Sequence, residues 1–300
     1  MNEEKPSHPL KETLNEYLAD LLDQCKKDNF TDAETMLSAK EQILNNYLLK
    51  NQFFAIFDMR KVDFTFVKKE VSEVINYTPE EFSIDLLLRV IPPLELLLVI
   101  EYAEIAFGLM SAGFHFKVLQ ETYLVSFPMY KKGASSLSRV SRKCLLFELE
   151  NELPASILEI WEDRTFVDDR KHVQWVLFSS TDEVTLSLNQ TFYHTWTKKL
   201  GTNFTRRELQ TLILSESGKP VKEIASDLGI SPYVVEEYFK NMKKKVRQVA
   251  EKFNADREFT RGIPVEVSLP YSMTRKELIH FAYTFGLLPD NMLKQHFLDK

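Results

Sequence analysis

The chain is short of the residues on which most metal and cofactor chemistry depends. Only two of its 300 residues are cysteine, Cys25 and Cys144, and they lie far apart. That excludes a disulfide framework and a cysteine metal knuckle, and reads as two small core residues in a reducing cytoplasm. Eight glycines leave little material for a nucleotide-binding loop. Gly108 and Gly113 have the outer spacing of such a loop, but Phe114 and His115 stand where its lysine and hydroxyl residue belong, so the cradle would lack its cation. The six histidines show no paired zinc spacing, and no cysteine stands in a flavin-adduct motif. A lone His115 reads as a hydrogen-bonded or surface residue rather than a haem ligand. No nucleophile elbow occurs, and acidic pairs such as Glu80-Glu81 and Asp168-Asp169 read as helix starts and solvated loops. No metal, no resident cofactor and no enzymatic activity are expected.

Long apolar runs are missing too. Leu86–Ile100 comes nearest, but it contains Arg89, Pro92, Pro93 and Glu95, whereas a membrane span needs about 20 apolar residues. It is a buried segment. Met1–His8 has no apolar core of a signal peptide, so a cytoplasmic protein without membrane attachment is expected.

What is present is unevenly distributed. The net charge is −6, yet fourteen Lys and Arg stand against nine Asp and Glu between Lys198 and Arg261. The front of the chain is therefore acidic and the stretch behind it basic. A chain of this length with 44% apolar residues divides most naturally into two or more domains.

At the front, Leu10, Leu14, Tyr17, Leu18, Leu21, Leu22 and Cys25 fall on one helical face, and Thr31 with Glu34 opens a second helix. Residues 1–50 are thus a helical segment, whose apolar stripes pack on the next domain or form a dimer contact. From Asn51 the period changes. Phe53–Asp58 and Val62–Val67 read as two strands, and Thr78-Pro79-Glu80-Glu81 as cap, proline and capping acid of a helix. Another helix covers Leu94–Met110. Strands follow at Tyr123–Tyr130, Val140–Glu148 and Ser156–Trp161, with a further hairpin around Val173–Leu188. Phe192–Asn203 reads as a linker.

Beyond it, Thr205 and Glu208 form a capping box, Leu209, Leu212 and Ile213 keep helical spacing, and Gly218 stops the helix. Pro220 starts a second helix with Val221, Ile224, Ala225 and Leu228 on one side, and Gly229 ends it. Ser231 caps a third, with Pro232 behind it and Val234, Val235, Tyr238 and Met242 on its apolar face. Small Ala225 and Gly229 suit a close crossing. Two helices joined by so short a turn are a helix-turn-helix, whose second member enters a DNA major groove.

This segment resembles the DNA-binding domain of LuxR-type bacterial transcription regulators. The residues that carry the resemblance are Thr205-Arg206-Arg207-Glu208, Gly218, Lys222-Glu223-Ile224-Ala225, Leu228, Ser231, Val235, Asn241 and Lys245. It departs from the family at Val234, where threonine is usual, and at Glu236 and Tyr238, where a basic residue and a histidine are usual. Phe53–Asp58, Phe64–Val67, Tyr77–Phe82 and Val90-Ile91-Pro92 look like the PAS-like sensor that precedes such domains in some regulators. Where the family has His-Pro and then an acid, this chain has Pro92-Pro93-Leu94-Glu95, so the histidine is gone and Glu95 is the candidate for the acid.

The resemblances imply an α+β chain with N-terminal helices over 1–50, a PAS-like antiparallel sheet domain over 51–190, a linker over 191–203, an all-α helix-turn-helix domain over 204–260 and a C-terminal extension over 261–300. They imply a transcription regulator that binds double-stranded DNA as a homodimer. Tyr233, Glu236, Glu237 and Lys240 are the candidates for base edges; Lys222, Lys243 and Lys244 are the candidates for phosphates, the last two in a basic run with Lys245 and Arg247. A fourth helix, as the family fold has, is expected through Phe253. An unidentified small molecule is the candidate ligand of the sensor, although twenty-two phenylalanines also suffice for a core that fills itself. The rival reading is a protein-interaction module whose helix-turn-helix has lost DNA, motivated by the Glu236-Glu237 acid and the extension. In the extension, Ile263–Leu269 reads as a strand, and Thr274 with Glu277 boxes a helix much as Thr205 does with Glu208.

Overall fold

The computed structural model describes residues 49–111, 121–150, 153–168, 170, 172–179, 181–289 and 291–298. The two expected N-terminal helices, Gly113 and His115 lie outside them. The chain divides into two compact units, one of residues 49–92, 106–170 and 177–179 and one of residues 93–105, 172–176 and 181–298. Their boundary passes through one helix and one strand.

The first unit is built on the antiparallel strands β1 (Gln52–Asp58), β2 (Asp63–Val67), β3 (Glu121–Tyr130), β4 (Leu137–Glu150) and β5 (Leu153–Asp163), with β6 (Gln174–Leu177) completing the sheet. The order is β2-β1-β5-β4-β3-β6. β1 is buried on both faces, which is why it is an unbroken apolar run instead of an alternating one. Phe53 pairs with Trp161, which in turn pairs with Arg142, so these side chains share one face. On it Phe53, Phe82, Phe127 and Trp161 pack edge-on or stacked, with centroids 5.3–6.0 Å apart. The opposite face holds Phe54, Ile56, Phe147 and Leu158, with Phe66, Leu145 and Ile160 against them.

The helices α1 (Val71–Ile75) and α2 (Ile84–Val90) follow β2, and α3 (Pro93–Ser111) follows them. Thr78–Glu81 does not open a helix. Glu81 Oε2 accepts the Thr78 N–H at 2.9 Å and Phe82 N–H bonds back to Thr78 O at 3.1 Å, but the turn ends there because Phe82 is drawn into the aromatic core. α2 starts afresh on Ser83, whose hydroxyl accepts the Leu86 N–H.

Asp168 is buried beside two arginines in this unit. Its oxygens accept Arg170 Nε at 2.8 Å and Nη2 at 3.0 Å, and Arg139 Nε lies 3.6 Å away. Burial pushes the carboxyl up, but the hydrogen bonds from Arg170 and the charges of Arg139 and Arg170 outweigh it and hold it at about 2. A folded value below the ordinary one means stabilisation that is complete above the unfolded pKa and lost as pH falls toward 2. Asp168→Asn should therefore cost about 2 kcal/mol at pH 7, and about half as much at pH 3. Urea midpoints of both proteins across that range test this; a gap independent of pH would refute it.

The second unit is helical: α4 (Asp182–Leu200), α5 (Arg206–Glu216), α6 (Val221–Leu228), α7 (Pro232–Ala255), α8 (Arg275–Thr284) and α9 (Asn291–Leu298). Several expectations are corrected here. The hairpin over Val173–Leu188 is a single strand, β6, followed by α4, because Thr181 caps Val184 N–H and Asp182 and Glu183 suit a first helical turn. The linker of 191–203 shrinks to residues 201–204: Leu188, Phe192 and Trp196 recur every fourth residue and are wholly buried, so α4 runs on to Leu200. No separate helix follows Val246, since α7 continues unbroken to Ala255 with Val249, Ala250 and Phe253 buried. A helix packed on α5 and α7 is supplied instead by α8, from the extension.

The extension is part of this unit's core. Trp196 Nε1 donates to Phe285 O at 2.9 Å, the Tyr193 hydroxyl to Leu287 O at 2.7 Å, and Gln210 Nε2 to Phe297 O at 2.9 Å. Lys294 and Tyr283 both bind Glu216 on α5. Ile263–Leu269 joins no sheet; Asn254 holds its backbone through Val267, at 2.9 and 2.7 Å. Both capping boxes form, at Thr205 and at Thr274.

Candidate nucleic-acid interface

Local chemistry sets the helix-turn-helix. Glu208 Oε2 accepts the Thr205 N–H at 2.6 Å while Thr205 Oγ1 accepts the Glu208 N–H at 3.3 Å, fixing the start of α5. Pro220 is the N-cap of α6, one position before its first helical residue. Gly229 ends α6 at φ +64°, and Ile230 N–H returns to Ala225 O at 2.9 Å, which closes the carbonyl end of the helix. A Cβ on Gly229 would meet nothing within 4 Å. The glycine serves its left-handed backbone and not a close helix crossing, a correction to the sequence reading. Ser231 Oγ then accepts the Val234 N–H at 3.3 Å and α7 begins at Pro232.

The buried stripe of α7 is Val235, Phe239, Met242, Val246, Val249 and Phe253. Val234 and Tyr238, expected in the core, are only half-buried, and Phe239 is the aromatic that fills it. The spacing from Val235 through Phe239 to Met242 and Val246 already carried that signal. Opposite lies a polar face. Positions 233, 237, 240 and 244 recur at three- and four-residue steps and so lie above one another. Tyr233 is 72% exposed, Lys240 and Lys244 are exposed, and Glu237 is half-exposed with its carboxylate 3.6 Å from Lys240. Glu236 and Lys243, seven residues apart, line the neighbouring flank. Lys222 is exposed in the first turn of α6, on a different helix from the rest.

The basic run is shorter than its sequence. Lys245 Nζ is 2.6 Å from Glu208, whose side chain is 3% exposed, so the capping acid of α5 also anchors α7. Arg247 Nη2 donates to the carbonyls of Pro270 and Tyr271 at 3.1 and 2.6 Å. Both cations are engaged within the unit; of the other two, Lys243 is half-buried with its charge acting on Glu277, and Lys244 is exposed. Glu236 is not a bare acid: Arg275 Nη2 lies 2.5 Å from its Oε1, and the same guanidinium sits 4.8 Å over the Phe239 ring. No sequence signal pointed to Arg275, thirty-nine residues away.

The first unit has a buried polar group of its own. Arg142 Nη1 lies 3.3 Å from Glu159 Oε1, and Trp161 Nε1 donates to Glu159 Oε2 at 2.9 Å. Burial pushes the Glu159 carboxyl up and the Cys144 thiol up to about 12. Cys144 is thus an unreactive core residue. Among the described residues no cluster of three or more His, Cys, Asp and Glu side chains could hold a metal ion, and no helix is long and apolar enough to cross a membrane.

Residues 202–251 match GerE, the bacterial regulatory proteins of the luxR family, and form a LuxR-type helix-turn-helix domain. Among curated proteins none matches the chain. Among solved structures, a phage VqmA in complex with DPO is 12% identical, with 89% of this chain and 92% of that one covered and a TM-score of 0.31. The Vibrio cholerae VqmA dimer without its target DNA is 14% identical, with 83% and 92% covered and a TM-score of 0.30. An RNA-binding Light-Oxygen-Voltage receptor is 9% identical, with 72% and 56% covered and a TM-score of 0.28. Likeness at this level assigns no function.

Proposed function

We propose that this chain, which carries a LuxR-type domain over residues 202–251, is a bacterial transcription regulator that binds double-stranded DNA through α7 under the control of the sheet unit ahead of it. The observation that carries this reading is the outward face of α7. Tyr233, Glu237, Lys240 and Lys244 stand clear of the core directly after the turn, where a recognition helix meets base edges. Glutamate there can accept from cytosine N4, and Lys222, Lys243 and Lys244 supply phosphate contacts. The sheet unit is read as a PAS-like sensor for a small molecule. Acting as a homodimer, the protein would set two α7 helices about one DNA turn apart on an inverted repeat.

The rival, an interaction module without DNA, drew on the C-terminal extension and on the acid of α7. The second motive is weakened, because Glu236 is paired with Arg275 and Glu237 with Lys240.

Selection of genomic fragments on the full-length protein, followed by anisotropy titrations of the best fragment and a scrambled one over a salt series, tests the reading. Sequence-selective binding with a steep salt dependence is expected; equal, feeble binding to both would reject it. Lys243→Ala should weaken binding to every sequence and reduce the slope of log K against log salt by about one. An unchanged slope would remove Lys243 from the interface.

A further inference from the structure

The segment between α7 and α8 runs back along one flank of α7 and is tied to it at successive levels. Asn254 grips Val267 from both sides of its amide, Arg247 holds the carbonyls of Pro270 and Tyr271, and Arg275 reaches Glu236 and covers Phe239. Positions 236, 243, 247 and 254 lie on a single stripe, beside the outward face of 233, 237, 240 and 244. The chain after Met273 therefore ends level with the second turn of α7. There it presents Arg275 and the exposed Lys276.

A helix with its side chains is about 10–12 Å across and the major groove about 12 Å wide. A helix seated in that groove fills it, so whatever is fastened to its flank must stand over the groove wall, which is phosphate. We propose that Arg275 and Lys276 are phosphate-contacting residues of this protein, a second element of the DNA interface supplied by the C-terminal extension. Arg275 has a further effect. Its guanidinium neutralises Glu236, which would otherwise repel the backbone on that side, and one nitrogen suffices for this contact, so other donors remain for a phosphate oxygen. The proposal rests on the reading that α7 binds DNA.

The bland alternative is a surface ion pair that merely shields Phe239; a pair as exposed as Arg275 with Glu236 contributes little to folding. Salt dependence separates the two, since a purely structural residue does not change the number of counterions released. The full-length protein is titrated with the selected fragment and with scrambled DNA over a salt series, as wild type, Arg275→Ala, Lys276→Ala, the double variant, Arg275→Lys, and Lys61→Ala as a charge-matched control from the first unit. Each alanine variant of the pair should weaken binding to both DNAs alike, several-fold, and lower the slope by about one, the double variant by about two. Arg275→Lys should keep the slope. Arg275→Ala with Glu236→Gln should recover part of the lost affinity, because no acid is left unscreened. Should Arg275→Ala fail to fold, Lys276→Ala carries the test alone. Wild type that binds DNA while the double variant keeps the slope of Lys61→Ala overturns this proposal only. Wild type that binds neither DNA overturns the DNA-binding reading and this proposal with it.

Discussion

Gly286→Ala should destabilise the helical unit by about 3 kcal/mol, a fall of about 10 °C in its thermal midpoint. Two effects combine. Gly286 has φ +65°, and a Cβ there would run into the Tyr102 hydroxyl and lie 2.7 Å from Trp196 Nε1. Neither neighbour can yield. Trp196 is wholly buried, donates that same Nε1–H to Phe285 O and packs edge-on against Tyr102, with centroids 5.2 Å apart. Tyr102 is wholly buried as well, among Trp175, Phe192 and Trp196. Its hydroxyl has no hydrogen-bond partner among the described residues, so Tyr102→Phe should leave stability nearly unchanged by itself. Combined with Gly286→Ala it should recover the share of the loss due to hydroxyl overlap. Calorimetry of the three variants decides the matter; an alanine variant that melts with wild type would show that the turn relaxes freely.

The second large effect is expected at Arg261, where Arg261→Ala should cost about 3 kcal/mol. Glu101 is 1% exposed, and its carboxylate is held by Arg261 Nε at 2.9 Å and by Lys199; Glu104 takes Arg261 Nη2 at 2.5 Å and Lys199 Nζ at 2.7 Å. Removing the guanidinium leaves two acids, one of them buried, sharing a single lysine. Arg261 also sits at φ +52°, so its backbone is held against its own preference by these contacts. Arg261→Gly relieves the backbone but loses the same charges, and should be less damaging than alanine by about 1 kcal/mol. Acid dependence gives an independent check. Burial pushes Glu104 up, yet its hydrogen bonds with Lys199 and Arg261 hold it below the ordinary carboxylate value. A lowered acid stabilises above its unfolded pKa and loses that contribution as pH falls. Wild type should therefore lose more stability than Arg261→Ala on acidification, and parallel acid profiles would count against the network.

The helix-turn-helix was legible because its signals are local. Thr205 with Glu208, Gly229 and Ser231-Pro232 each act within about five residues, so a capping box, a left-handed stop or a first-turn proline reads the same in sequence as in space. The strands of the first unit were legible for a similar reason, as β-branched and aromatic runs between turn residues. Reading failed where two local signals competed. Phe192–Asn203 is polar enough for a linker, but burial of Phe192 and Trp196 makes it the end of a helix. Thr78–Glu81 has the chemistry of a helix start, but Phe82 leaves for the core after one turn.

Of the candidate interface, Tyr233, Glu237 and Lys240 followed from helical period, Lys244 from the charge of the basic run, and the partners of these residues from neither. Lys245 and Arg247 looked as available as Lys243 and Lys244, because charge in a sequence carries no record of what will lie opposite. Sequence by itself determined the caps, the periods, the glycines at left-handed turns and hence the helix-turn-helix. Only the tertiary structure decided that the extension closes the helical unit, that Glu236 meets Arg275 and that Arg261 meets Glu101, pairs separated by 39 and 160 residues. Backbone preference and capping are settled within a few residues, whereas the partner of a long charged side chain depends on which surfaces the whole fold brings together.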